Sequence, residues 1–500
     1  MKYVISAEEM KQCDATTMQH FGVPSCVLME RAALSVFELI RERKIKCESN
    51  LVVCGSGNNG GDGMVIARLL FLAGKEVELV MAGNPEHLSE EAKRQMGILK
   101  AYGIKISEKI GDKKEYDIIF DALFGIGLSR KIQGTYADVI EQMNQIRAYK
   151  VAVDIASGIS VNTGQILGKA FRADLTVTFA FAKYGQLLDP GRSYSGELVV
   201  KEIGITKESF LDELPEGIYY EEDDLKQVPA RIKASNKGSY GKVLSVTGSC
   251  NMAGASYFAS KAASMAGAGL VYIHTCEENR VILQELIPEA VLNTYKEDTL
   301  FGLEAMLENC NIIVCGCGLG KSKEAKEKLT YLLENASVPL LLDADALNLI
   351  SEDADLEEKA KTYQNDLIIT PHMGEAARLL KASIDEIKKD RIKAAKTLSE
   401  KLNCVTVLKD AATVCKGKSS GLYINTSGTN AMSKGGSGDV LAGLIAGLLA
   451  QGANADHAAY LGVYLHGKAG EKAALRTGNY SMSPTDLLEG IGEVLREVTR

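Results

Sequence analysis

The sequence predicts two α/β domains in succession. Three observations support this: strand-like apolar runs alternate with helical patterns in two separate series, an acidic segment lies between the series, and 500 residues exceed what one hydrophobic core organises.

The first series opens with Ser6 and Glu9, spaced as a capping box at a helix start. A second helix is expected over about residues 24–43, where Met29, Ala33, Phe37 and Ile40 form an apolar stripe. Two helices are thus expected ahead of the first strand. Strands follow at 51–54, 77–81, 116–121 and 151–155, alternating with helical patterns as in a parallel sheet covered on both faces. Residues 206–229 carry Glu213, Glu216, Glu221, Glu222, Asp223 and Asp224 and read as strand-poor, which places one domain at 1–215 and the next at 225–500. The second series has strands at 242–246, 271–274, 312–315, 340–342, 367–370 and 404–408. Helices are expected at 439–449, 457–475 and 484–498.

The composition, 46% hydrophobic and 24% charged, is that of a globular chain, and Lys plus Arg number 57 against 65 Asp plus Glu. The resulting net charge of −8 gives no bulk attraction to nucleic acid or to an anionic membrane, so neither is expected as a partner. Of eleven cysteines the nearest pair is Cys315-Gly316-Cys317, and no CxxC zinc or redox spacing occurs; most are expected as small core residues in a reducing compartment. The first residues turn acidic at Glu8 and Glu9 before any apolar stretch of signal-peptide length, and no run of about 18 apolar residues occurs. A cytoplasmic protein is expected.

The run Gly55-Ser56-Gly57-Asn58-Asn59-Gly60-Gly61-Asp62-Gly63 follows a strand and opens a helix. Glycines there supply positive φ and close approach, so backbone N–H groups at the helix start can meet a phosphate. Gly55, Gly57 and Gly60 match the dinucleotide pattern, but the next strand ends Leu79-Val80-Met81 without a ribose-binding acid, which argues against an ordinary nicotinamide-binding domain. The side-chain oxygens of Asn58, Asn59 and Asp62 suit a cation or a polar substrate; a tight turn with an Asp cap is the plainer alternative. Two further strand ends, Asp121-Ala122-Leu123-Phe124-Gly125-Ile126-Gly127 and Val153-Asp154-Ile155-Ala156-Ser157-Gly158, bring Asp121, Asp154 and Ser157 towards the same crevice as Asn59. Taken singly, each aspartate is as compatible with a helix cap.

These three runs together resemble the NAD(P)H-hydrate epimerase family, over roughly residues 1–215. The resemblance implies a Rossmann-like three-layer sandwich with a potassium ion on Asn59, Asp121 and Ser157. It also implies contact with the damaged cofactor from Asn58, Asn59, Gly60, Gly61 and Asp62. Gly125, Ile126, Gly127, Leu128, Ser129, Arg130, Lys131, Tyr136 and Asp154 are implicated in the same way. Ala156 stands where the family usually shows proline, a change that leaves the polar atoms in place.

In the second series, Lys434-Gly435-Gly436-Ser437-Gly438-Asp439 leads into an apolar helix. The glycines leave N–H groups free at a helix start to form an anion hole, and Asp439 sits in the first turn where a base can meet a hydroxyl. No Walker sequence is present. A glycine-rich turn with a first-turn acid is the plainer alternative. Thr370-Pro371-His372 ends a strand and leaves His372 on a loop, where a ligand contact and a structural role are equally compatible. Asp343 and Asp345 at another strand end suit metal contact or helix capping alike, and Lys409-Asp410-Ala411-Ala412-Thr413 is compatible with a nucleotide contact or a plain hairpin.

Together with the opening run 237–249, these motifs resemble the ADP-dependent NAD(P)H-hydrate dehydratase family, which is ribokinase-like in fold, over about residues 225–500. The resemblance implies that Ala255, Gly320, His372 and Asp439 contact the hydrated cofactor. Lys409, Asp410, Ala411, Ala412, Thr413 and Gly438 would contact ADP, with magnesium accompanying the nucleotide; Asp410 replaces the glycine usual in the family. The expectation for the whole chain is a bifunctional repair enzyme, a homo-oligomer acting on the hydrates of NADH and NADPH and on ADP. Asp439 is expected to be the base of ADP-dependent dehydration to AMP and phosphate, and Asp154 the acid–base group of epimerisation, with Lys183 a second candidate. The rival is a ribokinase-like small-molecule kinase carrying a non-catalytic cofactor-sensing N-terminal domain, since Gly438 and Asp439 alone fit phosphorylation of any alcohol.

Overall fold

The computed structural model describes residues 1–498. Its chain divides into two compact units, Lys2–Gly217 and, with Met1, everything from Ile218 onward.

In the first unit the strands are β1 (Lys2–Ile5), β2 (Ser49–Cys54), β3 (Glu76–Met81), β4 (Ile106–Ser107), β5 (Glu115–Ala122), β6 (Arg147–Val153), β7 (Leu175–Phe179), β8 (Ala182–Lys183) and β9 (Glu197–Lys201). Seven of them form a parallel sheet in the order β4-β3-β2-β5-β6-β7-β9. Alternate residues feed two cores: Val52, Cys54, Phe120 and Ala122 pack with Met29, Ala33, Met64 and Ile66 on one face. Leu51, Val53, Ile119 and Ala152 pack with Val139, Ile140 and Met143 on the other. Burial on both faces is why these strands read as continuous apolar runs. The chain leaves β2 in one direction and returns to its other side as β5, so a crevice opens between their C-terminal ends.

The capping box forms as expected: Glu9 N–H donates to Ser6 Oγ (3.1 Å) and Ser6 N–H to Glu9 Oε2 (2.6 Å) at the start of the helix Ala7–Gln19. The second helix runs Ser25–Glu42. The expectation that two helices precede the first strand is wrong, because β1 comes first and pairs in parallel with β8, Val4 opposite Ala182 and Ile5 opposite Lys183. Four residues are too few to display a period, but Val4 and Ile5 are wholly buried, and burial decides their state.

The expectation of positive φ in the 55–63 loop also fails: none of its glycines lies in that region. Close approach is what the loop needs, since a Cβ on Gly60 would stand 1.9 Å from the carbonyl oxygen of Gly55. Gly60→Ala is therefore expected to destabilise the unit by about 1–3 kcal/mol, read as a lowered denaturant midpoint; an unshifted midpoint would show that the loop gives way freely.

A three-residue strand, β10 (Gly217–Tyr219), falls in the acidic segment. The second unit contains β11 (Lys242–Val246), β12 (Leu270–Cys276), β13 (Val291–Tyr295), β14 (Ile312–Cys315), β15 (Leu340–Leu342), β16 (Leu367–Ile369), β17 (Val405–Leu408), β18 (Val414–Lys416) and β19 (Leu422–Ile424). Their order is β13-β12-β11-β14-β15-β16-β17-β18-β19, parallel as far as β17 and antiparallel thereafter. Its order reverses between β11 and β14. The helix Ser437–Ala450 is buried along most of its length and lies against the helix Ala253–Met265 so closely that a Cβ on Gly443 would stand 1.9 Å from the carbonyl oxygen of Ala259. The remaining C-terminal helices are Ala455–Thr477 and Pro484–Val498. Most cysteines are buried and all are unpaired, and among the described residues no helix is long and apolar enough to cross a membrane.

Candidate functional site

At the β2/β5 reversal lies a cavity of about 730 Å³, lined by Ser56, Gly57, Asn58, Asn59 and Asp62 from the glycine loop, the 123–130 segment, Asp154, Lys183, and Met10 and Asp14 from the first helix. Gly57 caps the helix Asn58–Leu72 without a side-chain bond, leaving its first N–H groups towards this space. Asn59 is buried, and among the described residues neither its amide oxygen nor its nitrogen has a hydrogen-bond partner. Asp121 is fully buried; it accepts from Ser157 Oγ (2.7 Å), Ser157 N–H (2.8 Å) and Leu123 N–H (3.2 Å). Burial raises its carboxyl to about 6 against those bonds. Ser157 Oγ also accepts from Phe124 N–H (3.0 Å), and a Cβ on Gly125 would stand 3.2 Å from Cβ of Asn59, so the three strand-end loops meet.

Asp154 adopts φ +66°, a left-handed conformation that a non-glycine residue holds only where its surroundings fix it. Its Oδ1 accepts from Lys183 Nζ (2.7 Å) and Thr178 Oγ1 (3.0 Å), and its backbone oxygen from Gln186 Nε2 (2.6 Å). Lys183 is only 1% exposed and donates also to Thr178 Oγ1 and the Phe179 carbonyl. Oδ2 of Asp154 has no partner among the described residues. Nearby, burial raises Asp14 to about 6 and holds Asp62 well above the usual carboxyl range, with the charge of Asp154 adding to both.

Leu128 and Arg130 line this cavity and also a smaller one of about 250 Å³ with Lys131 and Tyr136; Tyr136 packs edge-on to Phe124 at 4.9 Å. Asp14 was not singled out by sequence reasoning, because a lone acid in the middle of a helix carries no motif. Lys183 reaches the site through β8, a two-residue strand with no period to read.

In the second unit Gly436, at φ +99°, caps the helix that carries Asp439 in its first turn. Asp439 is partly exposed. The Cys317 thiol lies beside it: one ligand atom each of Cys317, Asp343 and Asp439 lie within 4.8 Å of one another. Burial, then the charge of Asp343, raises the Asp439 carboxyl to about 6. Lys409 Nζ donates to Asp343 Oδ1 (2.6 Å), and a Cβ on Gly438 would stand 3.4 Å from that ammonium. The open alternatives for Asp343 and Asp345 resolve differently: Asp343 pairs with Lys409, whereas Asp345 accepts the Gly320 N–H (2.8 Å) and steadies that loop.

The 409–413 run is the turn between antiparallel β17 and β18, so the hairpin reading holds for its backbone. Asp410 is held by Arg391 (2.7 Å) and Thr413 Oγ1 donates to the Asp410 carbonyl (3.1 Å); Ala411 is exposed and Ala412 buried. His372 caps the helix Met373–Leu380, its Nδ1 accepting from Gly374 N–H (2.9 Å), and its ring stays half exposed. Its backbone bridges to Lys409. Ala255 sits against the glycine loop, where a Cβ on Gly318 would stand 2.8 Å from its own. Ala255, Gly320, His372, Lys409, Gly438 and Asp439 are thereby linked around one place, at the carboxyl ends of parallel strands. Cys317 was missed, because a cysteine between glycines gives no sign of the distant acid it meets.

Two family models match the chain: YjeF-related protein N-terminus over residues 25–185 and NAD(P)H-hydrate dehydratase over residues 243–493. The bifunctional NAD(P)H-hydrate repair enzyme of Moorella thermoacetica is 35% identical over 99% of this chain and 97% of its own length. Those of Coxiella burnetii and Escherichia coli are 37% and 35% identical, over 93% and 99% of this chain and 94% of each relative. Among solved structures, the ADP/ATP-dependent NAD(P)H-hydrate dehydratase of Bacillus subtilis, co-crystallised with ATP and Mg2+, is 28% identical with a TM-score of 0.50, covering 56% of this chain and 98% of that one. A ribokinase-like superfamily protein from Enterococcus faecalis is likewise 28% identical, with a TM-score of 0.51 over 57% of this chain and 96% of its own. Matched end to end by such relatives in both units, the chain belongs to the family of bifunctional NAD(P)H-hydrate repair enzymes.

Proposed function

We propose that this chain restores hydrated NADH and NADPH in two steps, the first unit interconverting the R and S epimers at C6 and the second dehydrating the S form with ADP. The observation that carries the second step is Asp439, partly exposed in the first turn of a glycine-started helix beside Gly438 and Lys409. The free N–H groups of the helix start and the Lys409 ammonium favour phosphate oxygens at this end. Asp439 takes the proton of the C6 hydroxyl as its oxygen attacks the terminal phosphate of ADP, releasing AMP. Phosphate then departs with the former hydroxyl oxygen, a proton leaves C5, and the nicotinamide ring is restored.

With its carboxyl at about 6, Asp439 is mostly ionised at neutral pH and protonated below that value. Dehydratase kcat/KM is therefore expected to fall about tenfold per unit as pH drops below about 6; a flat profile from 7 to 4.5 would contradict the base assignment. Magnesium would find carboxylate oxygens in Asp343 and Asp439, and it would supply neutralisation of phosphate charge. Cys317 is a poor ligand for it, since burial holds the thiol protonated.

In the first unit Asp154, ion-paired on one oxygen and free on the other, is the acid–base group, with Lys183 holding it in place. Asn59, Asp121 and Ser157 form an all-oxygen set in which Asn59 lacks a partner and Asp121 is buried, and they would hold potassium, which would fix the loop and balance charge. A homo-oligomer working in the cytoplasm completes the reading. The decisive experiment mixes purified protein with hydrated NADH and ADP or ATP and follows recovery of nicotinamide absorbance. Accumulation of a stable phosphorylated alcohol without recovery would favour the kinase reading instead.

A further inference from the structure

Three carboxyl groups from three different elements share the first unit's cavity: Asp14 from the helix Ala7–Gln19, Asp62 from the first turns of the helix Asn58–Leu72, and Asp154 after β6. Among the described residues, only Asp154 of the three has a cationic partner within ion-pair distance, Lys183. Asp62 makes no hydrogen bond or ion pair among the described residues; it is partly exposed and itself lines the cavity. A carboxylate set in a cavity wall, largely withdrawn from water and without a counter-charge, is costly, and the usual escape is to keep the proton. The helix start would favour the anion, but burial, Asp154 and Asp14 act the other way and prevail. Two carboxyl groups in one cavity, one ion-paired and one holding its proton, are the arrangement that separates a base from an acid.

We propose that Asp62 is the general acid of epimerisation, protonating the departing C6 hydroxyl, while Asp154 receives a proton from the water that arrives on the opposite face. This rests on the reading of the first unit as an epimerase. In the forward direction the proton of Asp62 joins the C6 hydroxyl, the C6–O bond breaks and water leaves. The N1 lone pair forms a double bond to C6. Water then adds to the other face and gives a proton to Asp154, closing a step in which nothing is oxidised or reduced. Return of the proton from Asp154 to Asp62 through cavity water resets the site, and the opposite epimer follows the same path in reverse.

The test uses the full chain and pure R and S hydrates, with exchange followed by chromatography across pH and dehydration of the S form by ADP measured alongside. Asp62→Asn is expected to slow exchange at least 100-fold, with dehydration unchanged, whereas Asp62→Glu restores a substantial part of the rate. The groups facing Asp62 are Asp14, Cys54, Asp154 and, behind Asp154, Lys183. Against that background the wild-type rate should decline on the alkaline side as Asp62 loses its proton, and the residual rate of Asp62→Asn should lack that decline. In water enriched in oxygen-18, each exchange should place one label in the hydrate. Wild-type exchange in Asp62→Asn, an unaltered pH profile or retention of the original oxygen overturns the proposal. If Asp154→Asn abolishes exchange while Asp62→Asn does not, the role of Asp62 alone falls; if both variants exchange normally, the epimerase site itself is misplaced.

Discussion

Asp439→Asn is expected to cut ADP-dependent dehydration of the S hydrate by about 10²–10⁴-fold while leaving epimer exchange intact. The amide keeps the size of the carboxylate and can still sit beside the Cys317 thiol, so the helix start should survive. Its removal also eases the repulsion from Asp343, which is one of the forces holding the Asp439 carboxyl up. A folded variant, no less stable than the parent, that no longer restores nicotinamide absorbance would isolate the proton transfer. Undiminished turnover would move the base elsewhere, and the family's glycine loop would then serve binding alone.

The second large effect is expected at Asp154. Asparagine tolerates the left-handed backbone that this position requires, so Asp154→Asn should keep the chain path. It leaves Lys183, 1% exposed, without its counter-charge, at a cost of about 3 kcal/mol or more. Epimer exchange should be lost with it. Adding Lys183→Met removes the orphaned charge, so the double variant should recover stability in urea while staying inactive. Recovery of exchange together with stability would mean that Asp154 had served the fold and not the reaction.

Those two residues illustrate what a linear reading catches. Asp439 follows Gly438 at a helix start and Asp154 stands at the end of an apolar strand four residues before Gly158, where a continuous apolar run gives way to a loop, and the two sheets were legible from the same alternation of apolar runs with helical patterns. The Ser6–Glu9 box was legible because its chemistry is local. What stayed hidden depends on contacts distant in sequence. The strands β1, β8 and β19 are two to four residues long and owe their state to burial against partners; β13 (Val-Leu-Asn-Thr-Tyr) lacks an alternation, whereas β7 (Leu-Thr-Val-Thr-Phe) alternates fully and its signal was there to be read. Lys409 and Asp343, 66 residues apart, meet only when β15 and β17 lie on either side of β16. The role of Asp14 likewise needs the first helix to be laid across a cavity built by later strands.

The near-contact of Gly443 with Ala259 has a mechanical consequence. There, and again where a Cβ on Gly447 would stand 2.6 Å from the Ala263 carbonyl oxygen, the helices meet main chain to main chain and resist sliding, because an axial shift would drive the Cα of one into the carbonyls of the other. The cradle at residue 436 is thus anchored from behind, like a vice with one fixed jaw. With the phosphate donor bound there as proposed, adjustment to different donors would fall to the parts facing it, the 409–413 turn and the loop at Gly320.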